Sequence, residues 1–401
     1  MAFSANRRDL TLAVHQLGGG DWHAGVNYLC GLLQALRDYP GRPRLLALAP
    51  GEQANPDIAG LVDELVRWWP SYPARGTALW AARGLARRLL GRDLVGDHLL
   101  RRRGVTLVAF GDVAAYGEQI LSTALPYLAW LPDFQHIHQP DLFSKAERRA
   151  RDTWYRRAGE RAARVLLMSD AVRRDFALFA PDLAHKARVL RPLSYIPDDV
   201  FLSDPRDVLQ RYSLPQRFFL LPSYLWKHKN HLTVAKAVQL ALETADDLTV
   251  VCTGGLIDHR WPAYFSELLL NLSILGVRER FILLGPLPRV EVLSLMRQAI
   301  GVVTASLFEG FGLALEEARS LGKPTLASDI PSHREQEAGG SCLFFEPHDA
   351  EDLARKLVLL WREAPAGILP EREEAAKTAT KGRRHEYAAA FLTIAQEVVS
   401  A

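Results

Sequence analysis

The strongest constraint on this chain is the alternation of short apolar runs with longer helical patterns from residue 10 to residue 345. A run of consecutive apolar residues makes a strand that must be covered on both faces. Helices returning between parallel strands supply that cover. In the first half the runs are 10–14, 44–48, 106–110, 126–131, 164–168 and 188–190; in the second they are 218–221, 248–252, 281–284, 301–304, 324–327 and 342–345. Residues 232–243 and 291–298 read as intervening helices. The pattern predicts an α/β chain of two Rossmann-like domains with parallel sheets. A length of 401 residues is too long for one ordinary core and suits two. A stretch rich in proline and aspartate at 191–205 marks the boundary, giving domains at 1–195 and 196–380. An amphipathic helix at about 384–399, within a closing segment 381–401, is expected to pack back towards the first domain.

Composition narrows the function classes. A net charge of only +3 gives no reason to expect a nucleic-acid partner. Cys30, Cys252 and Cys342 form no paired motif, which points to a reducing compartment. No apolar run approaches the length that spans a bilayer, and 10–17 reads as a first strand rather than a leader. The expected location is cytoplasmic.

The most informative segment is 306–317, Ser-Leu-Phe-Glu-Gly-Phe-Gly-Leu-Ala-Leu-Glu-Glu. It follows a strand and opens a helix, the place where α/β sheets bind ligands. Gly310 and Gly312 let a ligand approach the backbone closely, and the N–H groups from Phe311 through Leu313 to Ala314 form an anion site at a helix N-terminus. Glu309 and Glu317 flank it. Carboxylates beside an anion site repel the anion unless they bind hydroxyls, so the ligand should carry both phosphate and hydroxyl groups.

This segment resembles the Glu-to-Glu signature of family-4 retaining glycosyltransferases, and Gly322-Lys323-Pro324 with Ala327-Ser328-Asp329 continues the likeness. Residues 223–231, Ser-Tyr-Leu-Trp-Lys-His-Lys-Asn-His, are similar to a second motif of the same family. The resemblance implies the GT-B fold, with the two domains facing a central cleft, acceptor in the first and nucleotide-sugar in the second. It implies transfer of a hexosyl unit from a nucleoside diphosphate to a hydroxyl of a saccharide or lipid-linked saccharide, with retention and without a metal or other cofactor.

By the same likeness, Lys229 contacts the donor diphosphate, Glu309 holds the sugar and Glu317 the ribose. Gly254 and Leu287, after neighbouring strands, would face the nucleotide. The loop 18–28 resembles the glycine-rich first loop of the family, which carries over Gly19 and Gly20, and Trp22 more loosely. The loop 132–138 has Pro132 where many members have histidine; Asp133 is retained, and His136 is the candidate to reach the sugar. Many members carry an arginine where this chain has Ser223, and Lys227 is the candidate substitute. His228 and His231 read as structural. His136 and His138 alternate as metal ligands can, but no acidic motif accompanies them. The lysine-rich variant of the second motif favours GDP-mannose as donor and surface polysaccharide assembly as the setting. A UDP- or dTDP-sugar donor and a catalytically impaired binding subunit are the alternatives.

Residues 75–103 hold Arg75, Arg83, Arg87, Arg88, Arg92, Arg101, Arg102 and Arg103 among leucines. Such a stretch suits either a solvated helical face or peripheral contact with an anionic membrane.

Overall fold

A computed structural model describes residues 10–16, 23–49, 55–68, 74, 76–90, 93–110, 123–337 and 342–400. The chain divides into two compact units. The first comprises Met1–Phe134, Lys145–Tyr195 and Arg383–Ala401; the second comprises Gln135–Ser144 and Ile196–Gly382.

The first unit is built on seven parallel strands: β1 (Thr11–His15), β2 (Arg44–Ala49), β3 (Glu64–Arg67), β4 (Leu107–Ala109), β5 (Tyr127–Leu131), β6 (Arg164–Leu167) and β7 (Ala187–Val189). Their order is β3-β2-β1-β4-β5-β6-β7. Helices α1 (His23–Arg37), α2 (Pro56–Ala59), α3 (Ala78–Leu90) and α4 (Leu94–Arg102) fall between the early strands. The short α5 (Gln135–His138) groups with the second unit, and α6 (Lys145–Arg161) and α7 (Asp170–Phe179) complete the first. Strands β1, β2 and β4 to β6 are buried over nearly their whole length, as the apolar runs require.

The second unit has six parallel strands: β8 (Phe219–Pro222), β9 (Val250–Thr253), β10 (Phe281–Leu283), β11 (Gly301–Thr304), β12 (Thr325–Ser328) and β13 (Cys342–Phe345). Their order is β10-β9-β8-β11-β12-β13. After α8 (Asp198–Leu202) and α9 (Pro205–Arg211), the covering helices are α10 (His231–Ala241), α11 (Tyr264–Ile274), α12 (Arg289–Gln298) and α13 (Leu313–Ser320). The short α14 (Pro331–Arg334), then α15 (Ala350–Glu363) and α16 (Pro370–Val399), follow.

The predicted strands lie within two residues of the observed ones, with one omission. Strand β3 reads Glu-Leu-Val-Arg and buries only Val66, because an edge strand has one paired neighbour and needs no continuous apolar run. The closing helix also corrects the expectation: it starts at Pro370, not near 384. Its charged first half is rich in Glu, Ala, Lys and Arg, all good helix formers. There Glu373 makes a buried ion pair with Arg297, at 2.7 Å. Its second half presents Tyr387, Ala388, Phe391, Leu392, Ala395 and Val398 along one stripe, buried in the core of the first unit.

The basic stretch divides in two. Arg83 is fully buried, paired with Asp93 at 2.6 Å and stacked on Trp68, so it is not a surface charge. Arg103 pairs with Glu64 at 2.7 Å. Arg88, Arg101 and Arg102 are exposed, while Arg75, Arg92 and the Arg87 side chain lie outside the described residues.

Phe391 is fully buried and stacks on Phe110. Phe391→Ala should destabilise the first unit by about 3–5 kcal/mol, read as a lower urea midpoint of its unfolding transition.

Candidate functional site

In the second sheet the chain leaves β8 on one side and β11 on the other, although 78 residues separate Pro222, the end of the first, from Gly301, the start of the second. The two strands are nonetheless paired, with Phe219 opposite Gly301 and Leu220 opposite Val302. Because they are parallel, both C-terminal loops emerge at the same end of the sheet, at the point where strand order reverses. One loop carries Lys229 and the other Glu309.

The first loop is held at several places. Leu225 is buried and its N–H donates to Gly255 O at 2.8 Å. Lys227–Lys229 form one tight 3-10 turn, ended by Asn230 in the left-handed conformation (φ 59°). The Asn230 amide donates to Pro347 O at 2.8 Å and accepts from Thr233 Oγ1 at 2.9 Å, so a non-glycine residue is kept there by its side-chain bonds. The two loops are tied by the Leu307 N–H donating to His228 O at 2.8 Å.

Lys229 Nζ donates to Glu309 Oε1 at 2.5 Å, and Ser306 Oγ donates to the same oxygen at 2.7 Å. Burial, the largest single influence, works to raise the Glu309 pKa, but Lys229 together with His228 and His333 outweighs it and holds the carboxyl at about 2. Glu309 is therefore an anion at any neutral pH. Oε2 takes no hydrogen bond among the described residues, leaving one oxygen for a ligand hydroxyl. Past this pair, Gly312 (φ +96°) turns the chain into α13. A Cβ there would come within 2.9 Å of the His333 ring, so both conformation and space demand glycine. Gly310 and Phe311 lead into the turn and Leu313 is the first helical residue. Phe311 is buried, and its carbonyl accepts from the Gln336 amide.

Glu317, two turns along α13, is buried and receives Arg289 Nη1 at 2.7 Å. Arg289 opens α12 directly after Pro288, two residues beyond Leu287. Gly254 (φ +130°) would place a Cβ within 2.6 Å of Ser223 O, so close backbone packing alone requires glycine at that position.

Ser223 is bonded to His231, with 3.0 Å between Oγ and Nε2; His231 lies buried, its pKa taken down to about 3 by burial, with Lys229 adding to the effect. His228 is likewise held well below its usual value by burial, with Lys229 adding. Lys227 does not substitute for the missing arginine in this arrangement. Its Nζ lies 3.2 Å from the centre of the Trp261 ring, a cation–π contact. A further cation packed against this loop is Arg260. Its guanidinium lies over Trp226 and Phe143 and donates to Gln135 Oε1 at 2.9 Å.

The remaining candidates are distributed differently. His136 belongs to the second unit, is buried and meets Phe143 edge-on. His138 stacks on Phe308 with ring centres 4.9 Å apart. Asp133 belongs to the first unit and lies 3.8 Å from Arg151. Gly19, Gly20 and Trp22 lie outside the described residues. Among the described residues no three His, Cys, Asp or Glu side chains gather as a metal site would require, and no helix is long and apolar enough to cross a membrane. Sequence reasoning missed Arg289, Ser306, His333 and Gln336. Arg289 had one local signal, its place directly after a helix-opening proline; Ser306 had another, its place three residues before Glu309 in the motif segment itself, and His333 and Gln336 are brought in by strand order.

Two Rossmann-like parallel sheets, of seven and six strands, make this a GT-B fold. Over 98% of the chain and 100% of the compared chain it superposes on Anabaena HepE solved with UDP, at TM-score 0.65 and 18% identity. The lipopolysaccharide outer core galactosyltransferase WaaB gives TM-score 0.59 at 14% identity over 97% and 99% of the two chains. Residues 211–382, which lie within the second unit, match the family Glycosyl transferases group 1. The chain is 32% identical to D-inositol 3-phosphate glycosyltransferase of Streptosporangium roseum over 127 residues, 30% of this chain and 28% of that protein. It is 29% identical to O-antigen chain mannosyltransferase B of Escherichia coli over 164 residues, 39% of this chain and 41% of that one. The matched stretches thus span less than half of either curated relative.

Lys229→Met and Glu309→Gln, made singly and together, should show a coupling of about 0.5–3 kcal/mol in a denaturation cycle. The Glu309 pKa is lowered on folding, so its stabilisation is present above the ordinary carboxylate value of 4.5 and fades as pH falls towards about 2. The stability gap between the native protein and Glu309→Gln should shrink over that same window.

Proposed function

We propose that the protein is a retaining glycosyltransferase that moves a hexosyl unit from a nucleoside diphosphate sugar to a hydroxyl of a saccharide or lipid-linked saccharide in cell-surface polysaccharide assembly. The observation carrying this is the Lys229–Glu309 pair at the reversal point of the second sheet, directly before the N-terminus of α13. In this proposal the donor exchanges the resting pairs. Its diphosphate takes Lys229 and the α13 amides, and its sugar hydroxyls take Glu309. Ribose hydroxyls take Glu317 in place of Arg289. As the glycosidic bond breaks, Lys229 and the helix N-terminus meet the charge growing on the leaving phosphate, which accepts the proton of the acceptor hydroxyl. No metal has a role in this scheme.

GDP-mannose is the proposed donor. The match to an O-antigen mannosyltransferase supports it, and the structural likeness to a protein solved with UDP-glucose supports the UDP-sugar alternative. Thermal unfolding in GDP, UDP, dTDP and ADP tests the choice. A nucleotide at about 100 times its dissociation constant should stabilise by about 2.7 kcal/mol. A shift with GDP alone supports mannose, and a shift with UDP or dTDP alone replaces it. A second reading, a binding subunit with impaired catalysis, is favoured by Ser223 being bonded to His231 and Lys227 being stacked on Trp261. Binding without nucleoside diphosphate release in the presence of acceptor would establish it.

For the membrane contact the supporting feature is α3, which exposes Leu85 (57%), Leu89 (71%) and Leu90 (61%) beside the exposed Arg88. Co-sedimentation with vesicles containing phosphatidylglycerol should exceed that with phosphatidylcholine alone, and Leu89→Glu with Leu90→Glu should abolish the excess. Equal sedimentation with both lipids would leave α3 a solvated face.

A further inference from the structure

His333 sits at the start of the site's second layer, on α14, with its ring fully buried against Gly312. Its hydrogen bonds determine where its proton is. Ser328 Oγ donates its single proton to Ser306 O at 2.6 Å. The same Ser328 Oγ lies 3.2 Å from His333 Nδ1, and Ser328 O lies 3.0 Å from it. Both oxygens can only accept towards the ring, so Nδ1 carries the proton. Nε2 is then a bare lone pair. It is buried and has no hydrogen-bond partner among the described residues.

That lone pair is placed where it conflicts with an anion. Nε2 would lie 3.0 Å from a Cβ on Gly312, the residue that caps the N-terminus of α13. Gln336 closes the same corner by donating to the carbonyls of Phe311 and Gly312, while its own Oε1 is buried without a partner. Two buried acceptors therefore lack a donor beside the helix end that attracts negative charge. A proton on Nε2 would change this corner from an acceptor into a cationic donor.

The charged groups facing His333 from neighbouring elements are Glu309 on the β11 loop and Lys229 on the β8 loop. Arg334, next to it on α14, is turned to Asp329 at 2.5 Å and to the Phe344 ring. In the resting protein burial disfavours the charged ring, with Glu309 acting in the opposite sense. A bound diphosphate adds negative charge and occupies Lys229.

We infer that His333 takes up a proton when the diphosphate of a nucleotide sugar binds, and so acts as a positioning and charge-balancing residue of the anion site at α13. This deepens, and rests on, the donor site proposed above. Atoms balance simply: one proton moves from solvent buffer to Nε2 on binding and returns on release. Because the bound state holds the proton more tightly than the free state, affinity is greatest at low pH. It falls as pH rises, towards a limit of about tenfold per pH unit.

The test is titration calorimetry with GDP-mannose and UDP-glucose between pH 6 and 8, in two buffers of unequal ionisation enthalpy. Each phosphate of these probes carries one ester and one anhydride bond, so neither titrates there, unlike the terminal phosphate of a free nucleoside diphosphate. The expected result is uptake approaching one proton per ligand, with affinity falling as pH rises. His333→Gln should lose both effects, whereas His228→Gln, which alters the other buried histidine near Glu309, should keep them. Binding with no uptake in the native protein overturns the inference and leaves the donor site standing, and it does so whether or not His333→Gln folds. Uptake that survives in His333→Gln, or vanishes in His228→Gln, also overturns it. No binding of either sugar nucleotide at any pH removes the inference together with the donor site beneath it.

Discussion

The site depends on one constraint of parallel sheets, that every strand in the second unit ends at the same end of the sheet. Where β8 and β11 lie side by side with their connections running in opposite directions, no helix fills the space between their loops. The loops bring together Lys229 and Glu309, and the Leu307–His228 backbone bond holds them in step. The partners lie 80 residues apart in the chain. The rest of the site, from the Ser306 bond to Glu309 to the turn at Gly312, is arranged around that meeting.

The resting site is balanced as two ion pairs, Lys229 with Glu309 and Arg289 with Glu317. Each pair sets one cation against a carboxylate in a partly or wholly dry setting, where leaving either group alone would be costly. A ligand carrying only phosphates would satisfy the cations and strand the carboxylates; one carrying only hydroxyls would do the reverse. A ligand with both can replace all four partners at once.

Much of the fold was legible because buried parallel strands need unbroken apolar runs, and the chain has twelve of them where the sheets need thirteen strands. The missing one, β3, sits at an edge where that need lapses. The start of α16 was misplaced for a related reason: its first half is charged, and its anchoring there comes from the buried Arg297–Glu373 pair rather than from an apolar stripe. Arginines are ambiguous in the same way. Arg83 and Arg88 look alike in sequence, yet one is enclosed by Asp93 and Trp68 and the other faces water.

The sequence alone determined the class of architecture and the two motif loops, because apolar periodicity and glycine-bearing turns are local properties of a few neighbouring residues. It also marked Glu309, Gly312, Glu317 and Lys229 as the residues to watch. Only the tertiary structure decided their partners. Lys229 for Glu309, Lys227 turned to Trp261, and His333 behind Gly312 follow from which strands lie adjacent, and Arg289 for Glu317 from loops that emerge at one end of the sheet. Strand adjacency is settled by the packing of whole sheets and helices, and no short stretch of chain encodes it.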